Sequence, residues 1–155
     1  MLFLAATILF NTSHTVASTI PVNDPEKDKV LVNVLRYMLS HGHFVVKDMD
    51  DDFSEHIFDS FINGLDPSKR YFTQEDIEEF SQYKYQIDDQ LKESNIDFYN
   101  LVYQRFLKKI STAKKYYGDL LAQPFNFKKK ESIDVDYEKV PFAKNENELI
   151  DYWRK

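Results

Sequence analysis

Four histidines, a scatter of carboxylates and one adjacent serine–lysine pair are the groups with which this chain could do chemistry. Zinc accepts nitrogen and oxygen ligands in tetrahedral geometry. His41 and His43, set around Gly42, would need a nearby carboxylate to make such a site. Their spacing matches no closed-site pattern, and surface or helix-end histidines are the plainer reading. His56 follows Glu55 at a helix start, and His14 falls in an apolar leader. Asp48, Asp50 and Asp52 have the one-three-five spacing of a calcium loop. However, Phe53 stands where that loop needs glycine, and Asp59 where it needs a bidentate glutamate. These acids read instead as partners for the exposed amides of a helix start.

Acid–base or nucleophilic catalysis needs a positioned carboxylate pair, or a base beside a nucleophile. Asp66, Glu75, Asp76, Glu78 and Glu79 supply carboxylates, but Asp66 and Asp76 already have capping positions. Ser68 adjoins Lys69 and does not face it across a shaped pocket. The expectation is no catalytic residue, no cofactor-binding residue and no metal ligand. Tyr71, Tyr83, Tyr85, Tyr99, Tyr103, Tyr116 and Tyr152 are interface candidates. Tyrosine offers contact area and a hydrogen bond at low ordering cost. Half or more of these are expected to complete the internal core.

The elements that would position these groups are helical. One domain is expected for 155 residues. Three glycines, Gly42, Gly64 and Gly118, exclude a glycine-rich phosphate cradle. A net charge of -6 disfavours nucleic acid as a partner, because that affinity rests on neutralising phosphates. Lys128-Lys129-Lys130 runs straight into Glu131, Asp134 and Asp136 and reads as a solvated linker. Cysteine is absent, which removes disulfides and thiol chemistry.

Leu2 to Phe10 is nearly all apolar, followed by small and polar residues to Ser18, as in a signal peptide without its basic start. Residues 1–18 are therefore expected to be a leader, and export follows from it. Residues 19–25 read as a flexible lead-in, and 26–123 as the helical domain. Asp24, Pro25 and Glu26 make a helix start. Val30, Leu31, Val34, Leu35, Met38 and Leu39 give that helix its apolar stripe, ending near Gly42. Val45 and Val46 are expected to tuck into the core.

A second helix, about Phe53 to Asn63, turns Phe53, Ile57, Phe58, Phe61, Ile62 and Leu65 inward. Leu65-Asp66-Pro67-Ser68 forms a turn, and Tyr71-Phe72 an extended step. Thr73 and Asp76 make a variant capping box, with Phe72 and Ile77 at staple spacing. A third helix is expected through Ile77, Phe80, Lys84, Ile87 and Leu91, the Lys84 stem filling a gap in its stripe. A fourth runs from Asn95 or Asp97 to about Leu121, with Phe98, Leu101, Val102, Phe106, Ile110, Ala113, Tyr117 and Leu120 inward. Pro124 stops it. Residues 124–155 are expected to be an extended connection or edge strand, then a short helix capped by Asn145 or Asn147. The ending reads as a cut through a longer protein. The fold class is mainly all-α: four to five packed helices with an extended segment near the C-terminus.

The order Phe53-Ser54…Ile57-Phe58…Phe61-Ile62…Leu65-Asp66-Pro67-Ser68-Lys69-Arg70-Tyr71-Phe72…Asp76-Ile77…Phe80 resembles the amino-terminal region of carboxy-terminal processing peptidases, closest to their tail-specific protease branch. His41-Gly-His-Phe44, Pro124-Phe-Asn-Phe127 and Pro141 to Leu149 with Trp153 extend the likeness over about residues 28–155. The resemblance implies a non-catalytic helical scaffold or regulatory domain of a periplasmic serine–lysine endopeptidase. Such enzymes act on proteins selected by their C-termini. Implied partners are a PDZ–peptidase portion beyond Lys155, protein substrates and a helical-repeat lipoprotein adaptor. The family's catalytic serine and lysine would also lie beyond Lys155. The alternative is an independent helical protein-binding module without enzymatic activity, with Trp153 buried inside this chain.

Overall fold

The seven residues at the centre of the core come from one apolar face each of four helices and the step between two of them. A computed structural model describes residues 24–42 and 48–155. Among them are six α-helices: α1 (Pro25–Tyr37), α2 (Asp51–Leu65), α3 (Gln74–Ser81), α4 (Ile87–Lys92), α5 (Asp97–Leu121) and α6 (Glu146–Arg154). The mainly all-α expectation holds. The leader, His43, and the tucked Val45 and Val46 lie outside the described residues.

The core joins Phe58 and Ile62 of α2, Phe72 of the elbow, Phe80 of α3, Ile87 of α4, and Phe98 and Val102 of α5. Phe58 stacks on Phe98 with ring centres 5.3 Å apart, and Phe72 meets Phe80 edge-on at 5.3 Å. Burying each phenylalanine is worth about 2–3 kcal/mol. The periodic stripe of α2 thus packs as its spacing predicts. α5, 25 residues long, gives the other helices a common wall. Its start has no side-chain cap of the usual kind. Asn95 Oδ1 accepts from the Asp97 amide at 2.8 Å, and Gln90 Oε1 accepts from the Phe98 amide at 3.0 Å.

Four expectations need correction. The stripe of α1 does not face the core: Val30, Leu31, Val34, Leu35 and Met38 are 48–62% exposed, and the buried residue is Val32. α1 is held against α4 by polar contacts that periodicity does not see. Arg36 Nη1 donates to the Lys92 carbonyl at 2.6 Å, and Ser94 Oγ donates to Asn33 Oδ1 at 3.0 Å. The helix ends in a π-helical turn, Met38–Gly42. There the Ser40 hydroxyl donates back to the Arg36 carbonyl at 2.9 Å, a bond that competes with the helical ladder.

The third predicted helix is two. Successive three-residue turns at Tyr83, Lys84 and Gln86 separate α3 from α4. The break lets Ile87 and Asp88 enter the core. Lys84 sits in this turn, paired to Glu55 at 2.8 Å with its ammonium 5.9 Å from the Phe58 ring centre. Residues 125–144 form no strand. One parallel bridge joins Thr73 to Ala143, through the Gln74 amide and the Ala143 carbonyl at 2.7 Å. The far end of the α5 stripe is also open, with Tyr117 50% exposed.

Candidate functional site

The elbow between α2 and α3 gathers the groups with chemical potential, and it uses them to hold backbone. Asp66 is buried, and its carboxylate accepts three amides: Arg70 at 2.7 Å, Tyr71 at 2.9 Å and Phe72 at 2.9 Å. The loop can close on Asp66 because Lys69 adopts φ 50°, a left-handed conformation uncommon outside glycine. A carboxylate with three amide donors is a structural staple, with few lone pairs left for a substrate.

Asp76 does two jobs. It completes the capping box, accepting from the Thr73 amide and hydroxyl at 2.8 Å each while Thr73 caps the Asp76 amide. It also pairs with Arg105, and with Lys109 at 2.7 Å, both from α5. Arg105 continues to Glu79 at 2.7 Å. Burial pushes the Asp76 carboxyl up, but Lys109, the Thr73 amide and Arg105 outweigh it and hold it below its ordinary value. One residue therefore starts α3 and ties it to α5.

A third polar joint was not visible in the sequence. Ser54 of α2 and Asp88 of α4 are both buried. Ser54 Oγ donates to Asp88 Oδ1 at 2.7 Å and accepts from the Asp88 amide at 2.9 Å. Lys92 Nζ binds the other carboxylate oxygen at 2.6 Å. Burial raises the Asp88 carboxyl, yet Lys92 and Ser54 leave it below the ordinary range. The serine next to an acid resembles half of a catalytic arrangement. Here the hydroxyl is spent on the acid and its amide, with no base behind it.

The predicted candidates fall out accordingly. Lys69 turns away from Ser68: its Nζ donates to the Val140 carbonyl at 2.6 Å and lies 5.5 Å from the Phe142 ring centre. Asp50 caps α2, accepting from the Phe53 amide at 2.9 Å, with Asp51 and Asp52 in the first turn. His41 stacks on Tyr37 at 4.7 Å, and His56 is exposed on α2. Among the described residues no three histidines or carboxylates come together to hold a metal. Glu75 and Glu78 remain on the exposed side of α3.

The tyrosines divide. Tyr71 packs edge-on against Phe106 at 5.3 Å and Trp153 at 5.9 Å, and Tyr83 leans on Phe98. Tyr116 bonds Glu146, and Tyr152 donates to the Asp134 carbonyl at 3.1 Å. Tyr85 and Tyr99 are exposed, Tyr99 stacked on Tyr103 at 5.6 Å. Beside Tyr99, an apolar cleft of about 350 Å³ opens between α1, α2 and α4, walled by Leu35, Leu39, Phe53, Ile57 and Phe61 among others.

Arg70 is the residue whose importance the sequence concealed. Its guanidinium lies 5.6 Å from the ring centres of both Tyr137 and Tyr152, and Nη2 donates to the Tyr137 hydroxyl at 2.8 Å. Its carbonyl accepts from Trp153 Nε1 at 2.8 Å. Nothing local signals a contact 83 residues away.

The elbow, its acid staples and the α6 contact all fall within residues 35–155, which match the family model of the tail specific protease N-terminal domain. The chain is also similar to the tail-specific protease of Haemophilus influenzae, 30% identical over 116 residues. That alignment covers 74% of this chain and 17% of the relative, so the chain corresponds to a minor part of that protein's length. A buried elbow that joins two helices through Asp66 and a third through Asp76, in a chain matched over most of its length, leads to one assignment: the chain belongs to the tail-specific protease N-terminal domain family.

Proposed function

We propose that this chain is a non-catalytic helical scaffold and regulatory domain of a serine endopeptidase, one that processes or degrades proteins selected by their C-termini. The observation that carries this reading is how the elbow uses its charged groups. Asp66, Lys69 and Asp76 are each engaged by backbone groups or by α5, an arrangement suited to holding a shape. Membership of the tail-specific protease N-terminal domain family supports a protease as the parent. Export to the periplasm or cell envelope, a PDZ–peptidase portion, protein substrates and a helical-repeat lipoprotein adaptor belong to the same proposal.

The test has two arms. The 155-residue chain alone should not hydrolyse a C-terminally tagged protein, and cleavage by a demonstrably pure sample would overturn the reading. In the longer parent protein, removing residues 26–123 should impair cleavage of a tagged folded protein more than cleavage of a short peptide. Equal activity on both substrates with and without the domain would count against a scaffold role. The second reading, an independent helical protein-binding module, draws on the seating of Trp153 against Arg70 and Tyr71 within this chain. It predicts that the 155-residue chain folds by itself as a stable monomer with Trp153 shielded from solvent, which fluorescence quenching measures.

A further inference from the structure

Residues 131–155 are fastened to the helical body by a different chemistry from that which holds the body together. The body closes around Phe58, Ile62, Phe72, Phe80, Ile87, Phe98 and Val102. The C-terminal segment has one fully buried apolar side chain, Leu149, with Phe142 packed partly against the core. α6 also lies along α5, where Tyr116 bonds Glu146, and Trp153 meets Tyr71 edge-on at 5.9 Å; the other attachments are polar or cation–aromatic and converge on a few neighbouring elbow residues. Lys69 holds the Val140 carbonyl, Arg70 sits between Tyr137 and Tyr152, and the Gln74 amide holds the Ala143 carbonyl. Trp153 donates to the Arg70 carbonyl.

The segment is also tied to itself. Arg154 forks onto Glu131 with bonds of 2.8 and 2.7 Å, and Tyr152 donates to the Asp134 carbonyl. Residues 122–130, between this segment and α5, are exposed throughout.

We propose that residues 131–155 are a strap that undocks and redocks as one unit about a hinge at 122–130, with Arg70 as its latch. The internal ties make the strap move together, since separating Glu131 from Arg154 gains nothing when only the elbow contacts open. α6 has nine residues, too few for stable helix in isolation, so its order depends on docking. These contacts are only part-buried, and such contacts open at lower free energy than a fully buried core. The latch is also braced from behind, because the Arg70 amide is one of the three held by Asp66. The strap's docking therefore reports on the integrity of the elbow. This inference concerns the chain's own conformational equilibrium and does not rest on the protease reading.

Trp153 is the single tryptophan, so its fluorescence reports docking directly. In the full chain, Arg70→Ala should shift its emission to longer wavelength. Hydrogen exchange across α6 should quicken by about tenfold or more, while exchange at the centres of α2 and α5 stays unchanged. Arg70→Lys, which keeps the charge but loses the planar group between two rings, should fall between. Unchanged emission, or equal acceleration in α6 and the core helices, would overturn the latch. Should Arg70→Ala fail to fold, native-state exchange of the unaltered chain decides. α6 exchanging at least about tenfold faster than α2 and α5 supports a separate unit, and a common rate for all three refutes it.

Discussion

Asp66 shows how much one side chain can decide. Its position in Leu65-Asp66-Pro67-Ser68 marks a turn acceptor, and the structure gives it three amides instead of one. Asp66→Ala leaves these donors without a partner in a place water reaches poorly. A loss of about 3 kcal/mol is expected. Asp66→Asn, which retains one oxygen acceptor, should lose about half as much. Urea unfolding midpoints measure both, and an unchanged midpoint for the alanine variant would refute the staple.

Acid tests the other two buried carboxylates. Asp76 and Asp88 are both held below the ordinary 3.8 when folded. A depressed folded value means that the unfolded chain takes up these protons first. Their contribution is complete above the unfolded value and is lost as the pH falls through the folded one. The urea midpoint should therefore decline from about pH 5 downward, most steeply below about pH 4. Asp76→Asn should cost about 2 kcal/mol near neutrality, a discounted value because Arg105 keeps Glu79 and both cations retain some solvent. That variant should also show a shallower acid decline. An identical pH profile for the variant and the unaltered chain would remove Asp76 from this role.

At the scale of elements, α1 is where pattern and packing part. Its apolar residues recur at helical spacing, yet that face meets solvent and Val32 meets the body. Leu31→Lys should change stability by no more than about 0.5 kcal/mol. Val32→Lys should cost about 2 kcal/mol or more by placing an unpaired charge in the contact. Thermal unfolding of the two variants compares them directly. Equal losses would mean that the stripe, not Val32, faces the body. The split between α3 and α4 has a related cause. An unbroken helix would satisfy the stripe through Lys84, but it could not deliver Asp88 to Ser54.

For the whole molecule, a net charge of -6 is distributed over a frame in which several cations are engaged. Lys69, Arg70, Lys92, Arg105, Lys109 and Arg154 all have carbonyl, aromatic or carboxylate partners. Duplex DNA should therefore show no mobility shift with the chain at about 150 mM salt, since binding rests on neutralising phosphates and the chain is net acidic. A salt-sensitive shift at micromolar protein would contradict this.

The sequence by itself determined the local grammar: the Asp24 and Thr73 starts, the acids ahead of α2, a last helix capped by Asn145 or Asn147, the inward face of α2, the long α5 and the Asp66 turn. These follow from interactions within a few residues, where side-chain type and helical period suffice. It also carried the family's ordered pattern through the elbow. Tertiary structure alone decided which face of α1 is covered and that Ser54 answers Asp88. It also decided that Arg105 and Lys109 complete Asp76, and that Arg70 receives Trp153. Those partners are 29 to 83 residues apart. A polar group's partner at that distance is chosen by how helices stack, and no local periodicity encodes it.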